Sequence, residues 1–191
     1  MSRLIFISHP EVVVDPQIDV RKWGLSEIGV ARMKAFTNGP DVAKVRSIWS
    51  SAETKAVEAA NILAERHLAR IQIDEELGEN DRSATGYLPG DDFERMADAF
   101  FAEPERSIQG WERAIDAQRR IVLSVERIIR VHEAGDVAVV SHGAVGSLLL
   151  CHYQKRPISR TADQPFQGHY WQADLAGMTV LHPWKPISPR P

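Results

Sequence analysis

Apolar residues fall along this chain in two rhythms. Leu4-Ile5-Phe6-Ile7 and Val137-Ala138-Val139-Val140 are short unbroken runs. Such runs mark strands covered on both faces of a sheet. Elsewhere the period is helical: from Trp111 to His132, Ala114, Ala117, Ile121, Val125 and Ile128 share a face, which Ile115, Val122 and Ile129 widen. In chain order the pattern predicts a strand over 3–8, then a loop with Pro10 and Pro16. A helix follows, capped by Ser26, stapled by Leu25 on Val30, and turned inward through Ile28, Met33, Ala35 and Phe36. Asn38-Gly39-Pro40 ends it. Ser47-Ile48-Trp49-Ser50 reads as a strand, and Ser51 as the cap of a helix running to about Arg70. Ile71-Gln72-Ile73 is a brief strand.

The stretch 76–110 has no strand signal and one short helix near 91–101. After the long helix, Ala134-Gly135 leads into a strand at 137–141, a helix at about 144–153, and strands near 169–174 and 178–182. The proline-rich tail from Pro183 reads as irregular. Strands that alternate with helices predict an α/β sandwich around a largely parallel sheet. No repeat or linker divides the 191 residues, a length that suits one domain.

Hydrophobic residues make up 43% and charged residues 26%, with a formal net charge of -3. Acidic and basic residues are interspersed, which argues against nucleic-acid binding and against a polybasic membrane segment. No apolar run approaches the roughly 18 residues of a membrane span. Met1-Ser2-Arg3-Leu4 enters a strand without a signal-peptide pattern, so a cytoplasmic protein is expected. The one cysteine, Cys151, follows Leu148-Leu149-Leu150 and reads as a buried structural thiol. A lone cysteine excludes an internal disulfide and a multi-cysteine zinc site.

The two apolar strands each end in a histidine: Ser8-His9-Pro10 and Ser141-His142-Gly143. Positions just past the C-terminal ends of parallel strands are where α/β sheets carry ligands and chemistry. Read alone, a histidine there is a satisfied polar residue at a sheet edge. Two of them, able to meet over one small substrate, are candidates for shared chemistry. His9-Pro10-Glu11 lacks the Pro-Cys-x-x-Cys partner that a zinc deaminase needs. His67, His132, His152, His169 and His182 read as surface or core residues, with His169 placed to line the site from a late strand.

Further motifs stand in series. Trp23-Gly24-Leu25-Ser26-Glu27-Ile28-Gly29 follows the first strand, and Ser50-Ser51-Ala52-Glu53-Thr54-Lys55-Ala56-Val57-Glu58-Ala59-Ala60 follows the second. Leu77-Gly78-Glu79 comes next, then Val140-Ser141-His142-Gly143. In this order the chain resembles the histidine phosphatase superfamily, the phosphoglycerate-mutase-like proteins. Their patterns are Arg-His-Gly, Trp-x-Leu-Thr-Glu-x-Gly, Ser-Ser-x-x-x-Arg-Ala-x-x-Thr-Ala, Leu-x-Glu and Val-Ser-His-Gly. The resemblance covers nearly the whole chain. It implies a three-layer α/β sandwich with a mostly parallel central sheet and no metal or other cofactor. It also implies His9 as the nucleophile that accepts a phosphoryl group, His142 as the histidine that holds its oxygens, Glu79 as the acid, and Gly143 at the phosphate.

Elementary chemistry agrees. A neutral imidazole is a nucleophile near pH 7 when its other nitrogen is fixed as a donor. Phosphoryl transfer needs mainly positioning and positive charge around the equatorial oxygens. Lys55 falls in the first turn of a helix, where free backbone N–H groups favour an anion.

Two departures bear on the activity. Ser8 stands where the family has its first arginine and Lys55 where it has its second, so a hydroxyl and a point charge replace two bidentate forks. Pro10 removes a backbone donor. Losing one preorganised donor costs roughly a hundred- to a thousandfold in rate. Arg82, three residues after Glu79, is the preferred replacement cation, with Arg21 and Lys22 in the loop after His9 as alternatives. The leading expectation is a metal-independent phosphatase acting through phosphohistidine at His9 on a small phosphorylated substrate. A substrate-covering segment at about 78–110 would include Tyr87, Phe93, Phe100 and Phe101. The alternative is a non-catalytic or regulatory protein that binds phosphate in a degenerate site. A homodimer through the long helix is possible on this reading, although core packing also accounts for its apolar face.

Overall fold

The computed structural model describes residues 2–189. Six strands form one sheet: β1 (Arg3–Ser8), β2 (Val45–Ser50), β3 (Ile71–Ile73), β4 (Asp136–Ser141), β5 (His169–Asp174) and β6 (Thr179–Pro186). Their spatial order is β3-β2-β4-β1-β5-β6. The first four run parallel; β5 and β6 add antiparallel strands on one side.

Five helices, α1 (Glu27–Thr37), α2 (Thr54–His67), α3 (Gly90–Ala102), α4 (Ala114–Val131) and α5 (Gly143–Tyr153), cover both faces. The alternation of side chains along a strand divides the core in two. Leu4 and Phe6 of β1, with Val137 and Val139 of β4, pack against α3, α4 and α5. Ile5 and Ile7, with Ala138 and Val140, pack against α1 and α2. This is the three-layer arrangement, and it explains why both central strands are apolar at every inner position: neither face meets water.

Local chemistry sets most boundaries. Ser26 accepts a hydrogen bond from the Gly29 amide at 3.1 Å and starts α1. That helix turns Met33 and Phe36 inward, whereas Ile28 and Ala35 face solvent. Ile115 of α4 is likewise exposed. Cys151 is buried and free.

Three expectations need correction. Ser51 does not cap α2: the cap position is Glu53, with no side-chain cap bond, and the Ser51 hydroxyl lies 2.8 Å from His142 Nε2. The helix stops at His67, because Leu68 turns into the left-handed region at φ 50°. The tail is not irregular from Pro183. β6 continues to Pro186, and as an edge strand it tolerates the missing N–H groups of its prolines. Residues 190–191 of that tail lie outside the described residues.

Gly146 gives a test of packing in α5. A Cβ there would lie 2.5 Å from the Phe6 ring and 2.7 Å from the Trp184 ring. Helix propensity alone predicts that Gly146→Ala stabilises by about 1 kcal/mol. Overpacking should reverse the sign, with a net loss of about 1–3 kcal/mol in urea unfolding; a stabilised variant would contradict the packing described.

Candidate active site

The two histidines meet because their strands are neighbours. β1 and β4 pair in parallel with Ser8 opposite Ser141, so the next residue of each, His9 and His142, leaves the sheet at the same rim. Their ring centroids are 5.2 Å apart, edge to face at 69°. The His9 amide donates to Ser141 O at 3.0 Å, and the Gly168 amide donates to His9 O at 3.0 Å, which fixes the backbone beneath the ring.

His9 Nδ1 donates to the Pro10 carbonyl at 2.8 Å. With the proton held there, Nε2 keeps its lone pair. Burial, together with the Lys55 ammonium, lowers the His9 pKa to about 4, so the ring is neutral at pH 7. His142 is fully buried, and burial holds its pKa well below the ordinary value against the pull of Glu53. Its Nε2 faces Ser51 Oγ at 2.8 Å and Glu53 Oε1 at 3.3 Å.

Glu79 arrives on a loop clamped from two sides. Ser141 Oγ donates to Leu77 O at 2.7 Å. The Arg120 guanidinium of α4 donates to the carbonyls of Glu76, Gly78 and Glu79 at 2.8, 3.0 and 3.2 Å, and is itself held by Glu112. The Glu79 carboxyl accepts from the amides of Val145 at 3.1 Å and Ala144 at 3.3 Å, at the N-terminus of α5. Those amides and Arg82 favour the ionised form. Burial is the larger effect, and with the nearby Glu53 charge it raises the carboxyl pKa above the ordinary range. A carboxylic acid that retains its proton is suited to protonating a leaving oxygen.

The cations are disposed unequally. Lys55 is buried, and its ammonium donates to Val20 O at 2.7 Å and to Glu53 Oε2 at 2.5 Å. Arg82 lies over the rings of Phe93 and Trp111, at 5.0 and 5.8 Å from their centroids. Among the described residues it has no carboxylate partner. Arg21 is exposed and paired with Asp19 at 2.5 Å. Ser8 faces away from any such role. Its hydroxyl donates to the Gln164 side-chain oxygen and lies 3.2 Å from His169 O, while the His169 amide donates to it at 3.1 Å. Gln164 fills the space beside Ser8 and presses on Gly143, where a Cβ would lie 2.4 Å from its Nε2. The His169 ring packs on Phe166 at 4.4 Å, with Arg32 and Glu11 nearby.

Sequence reasoning passed over Glu53, a spacer between the motif serines and Lys55. It touches more of the site than any residue chosen from the motifs. Oε1 accepts from the Glu79 amide at 2.9 Å and faces His142, and Oε2 holds Lys55. Burial alone would push its carboxyl up; His142, Lys55 and the Glu79 amide outweigh this and lower it to about 2. A carboxylate two residues before a helix-start lysine was the available signal.

A cavity of about 1030 Å³ lies on the Glu53, Glu79 and Arg82 side of the site, with Arg21, Lys22 and Tyr87 also in its wall; the His9 and His142 rings do not line it. Of the four aromatic residues expected to cover it, only Tyr87 does so, against Trp23 at 5.7 Å. Phe100 and Phe101 are buried in the core, and Phe93 underlies Arg82. The wall therefore comes from the loop part of 78–110, because α3 spends its apolar face on α4 and the sheet. Among the described residues no His, Cys, Asp and Glu side chains are grouped to hold a metal ion, and no helix is long and apolar enough to cross a membrane.

Solved structures share this architecture. YhfR of Bacillus stearothermophilus is 24% identical with a TM-score of 0.80, over 96% of this chain and 95% of that one. A mycobacterial glucosyl-3-phosphoglycerate phosphatase is 18% identical with a TM-score of 0.80, over 98% and 100%. A phosphoserine phosphatase of Entamoeba histolytica, in complex with 3-phosphoglyceric acid, is 14% identical with a TM-score of 0.75, over 97% and 98%. At these identities the likeness is one of fold. No curated protein matches the sequence. The sequence pattern of the histidine phosphatase superfamily (branch 1) matches residues 11–181, and the chain belongs to that superfamily.

Proposed function

We propose that this protein is a phosphomonoesterase that works through a phosphohistidine at His9. The observation that carries the reading is the His9 ring, neutral, tied through Nδ1 to Pro10 O, and 5.2 Å from the His142 ring. Family membership supports phosphatase chemistry in general. Structures of the mycobacterial phosphatase with inorganic phosphate and with VO3 support a phosphoryl ligand as the class of substrate.

In the proposed sequence, His9 Nε2 attacks phosphorus as the bond to the leaving oxygen breaks. Glu79 gives that oxygen its proton and the alcohol departs. Glu79, now ionised, takes a proton from water, whose oxygen attacks the phosphohistidine; the N–P bond breaks and inorganic phosphate leaves. His142 and Arg82 hold the equatorial oxygens, while Lys55 at the start of α2 stays paired with Glu53. Ser8 and Gln164 supply shape rather than charge. Arg21 is a rim residue that meets the departing group.

Incubation with a generic aryl phosphate should label the protein with an acid-labile, base-stable phosphate. His9→Ala should abolish the label and His142→Ala should slow its formation. A label that survives in His9→Ala would refute the nucleophile; no label in the native protein would leave only phosphate binding.

Arg82→Ala should lower kcat/KM roughly a hundred- to a thousandfold, the usual cost of one preorganised donor. Arg21→Ala, at an exposed and already paired residue, should change it by less than about threefold, since such pairs contribute about 1 kcal/mol or less. The reverse ranking would move the phosphate toward the Arg21 loop.

Hydrolysis should survive a chelator at full rate. Loss of activity that a divalent ion restores would place the chemistry in a different class.

A further inference from the structure

We propose that Glu53 sets the charge selectivity of this pocket, favouring a phosphoryl group with one negative charge over the dianion. The inference rests on the phosphoryl ligand proposed above and adds the ionisation state that the site accepts.

Glu53 is not a surface acid near the cavity. Its carboxylate is 10% exposed and has three partners in the site: Lys55 Nζ at 2.5 Å, the Glu79 amide at 2.9 Å and His142 Nε2 at 3.3 Å. Lys55, the cation at the helix start, is already matched by this carboxylate and by Val20 O. An arriving phosphate therefore meets a closed ion pair there.

The charges facing the two rings come from two elements only. α2 and its cap bring Lys55 and Glu53, and the loop after β3 brings Arg82 and Glu79. The ends of β1 and β4 bring neutral groups: Ser8 with Gln164, and the two imidazoles, which burial keeps uncharged. Burial and the neighbouring Glu53 charge raise the Glu79 pKa, and its carboxyl brings no positive charge to the site. Lys55 and Glu53 cancel, and Arg82 is the one cation facing the rings that no carboxylate pairs among the described residues. A monoanion is neutralised by that charge. A dianion leaves one negative charge uncompensated beside the Glu53 carboxylate, and such a charge is costly away from water.

The test measures binding, so that turnover does not enter. In a His9→Ala background, the dissociation constants of methyl phosphate and dimethyl phosphate are measured by calorimetry at pH 5 and pH 8. Methyl phosphate passes from monoanion to dianion near pH 6, as phosphate monoesters do. Dimethyl phosphate keeps one charge and reports any titration of the protein itself. Methyl phosphate should bind at least about tenfold tighter at pH 5, and dimethyl phosphate should change less, a scale set by one unit charge at close range.

Adding Glu53→Gln raises the pocket charge by one and should abolish the preference by tightening binding at pH 8. Adding Glu53→Gln together with Lys55→Gln returns the charge to its original value and should bring the preference back. Lys55→Gln alone makes the opposite change and should steepen it, which keeps the inference testable if Glu53→Gln does not fold. Equal affinity at both pH values, weaker binding at both with Glu53→Gln, or an unchanged preference with Lys55→Gln would each overturn the inference. Failure of the phosphatase reading looks different: a charge preference in the His9→Ala background, but no phosphohistidine in the native protein.

Discussion

Parallel pairing of β1 with β4 is the constraint on which the rest of the molecule depends. With Ser8 opposite Ser141, both histidines leave the sheet at one rim. Side-chain direction alternates along a strand, so a slip of one residue would reverse the faces of β1. Leu4 and Phe6 would then point to α1 and α2, Ile5 and Ile7 to the other layer, and His9 would lose its place beside His142. The two apolar layers thus hold the two histidines in register. Ser141 serves both ends of this arrangement, pairing in the sheet and holding Leu77 O so that Glu79 reaches the N-terminus of α5.

A second theme is how buried charge is compensated. Arg32 is buried in α1 and matched by Glu11 and by the carbonyls of Gln167, Gly168 and Ser188. It is a structural cation whose two terminal nitrogens are both taken, with only the buried Nε unpaired. Lys55 is treated similarly by Glu53 and Val20 O, yet it faces the two histidines. Arg82 differs from both, because aromatic faces rather than carboxylates hold it, and such faces stabilise a guanidinium without neutralising it. At position 8 shape takes the place of charge: the Gln164 side chain occupies the space beside Ser8, and Gly143 makes room for it.

The strands and helices were legible because periodicity is a local signal with a direct physical cause. The unbroken apolar runs of β1 and β4 announced a sheet covered on both sides, and the face of α4 announced a helix on it. Boundaries were less legible where tertiary contacts decide them. Ser51 has the composition of a helix cap, but His142, 91 residues away, takes its hydroxyl. β6 runs through Pro183 because an edge strand does not use every N–H group. In the site, the motif histidines and Glu79 could be found by position in series. Glu53, Arg120 and Gln164 could not, since their importance lies in contacts to carbonyls, amides and a serine hydroxyl far away in sequence. Charge type alone cannot distinguish a clamp such as Arg120 from a solvated helix arginine.

The order of strands carries a consequence for how the chain reaches this state. β1 precedes the other strands of the sheet in the chain, yet both of its neighbours, β4 and β5, lie beyond residue 135. On a ribosome, Leu4-Ile5-Phe6-Ile7 must wait until β4 has been made before either of its edges is covered. Contacts this distant in sequence form slowly, and an unpaired apolar strand is the element most open to wrong partners meanwhile. The β2–β3 pair and the α1–α2 contact need no late segment, so a half-built domain could form around them while β1 remains outside. The rim that carries both histidines then forms only when β4 enters between β2 and β1.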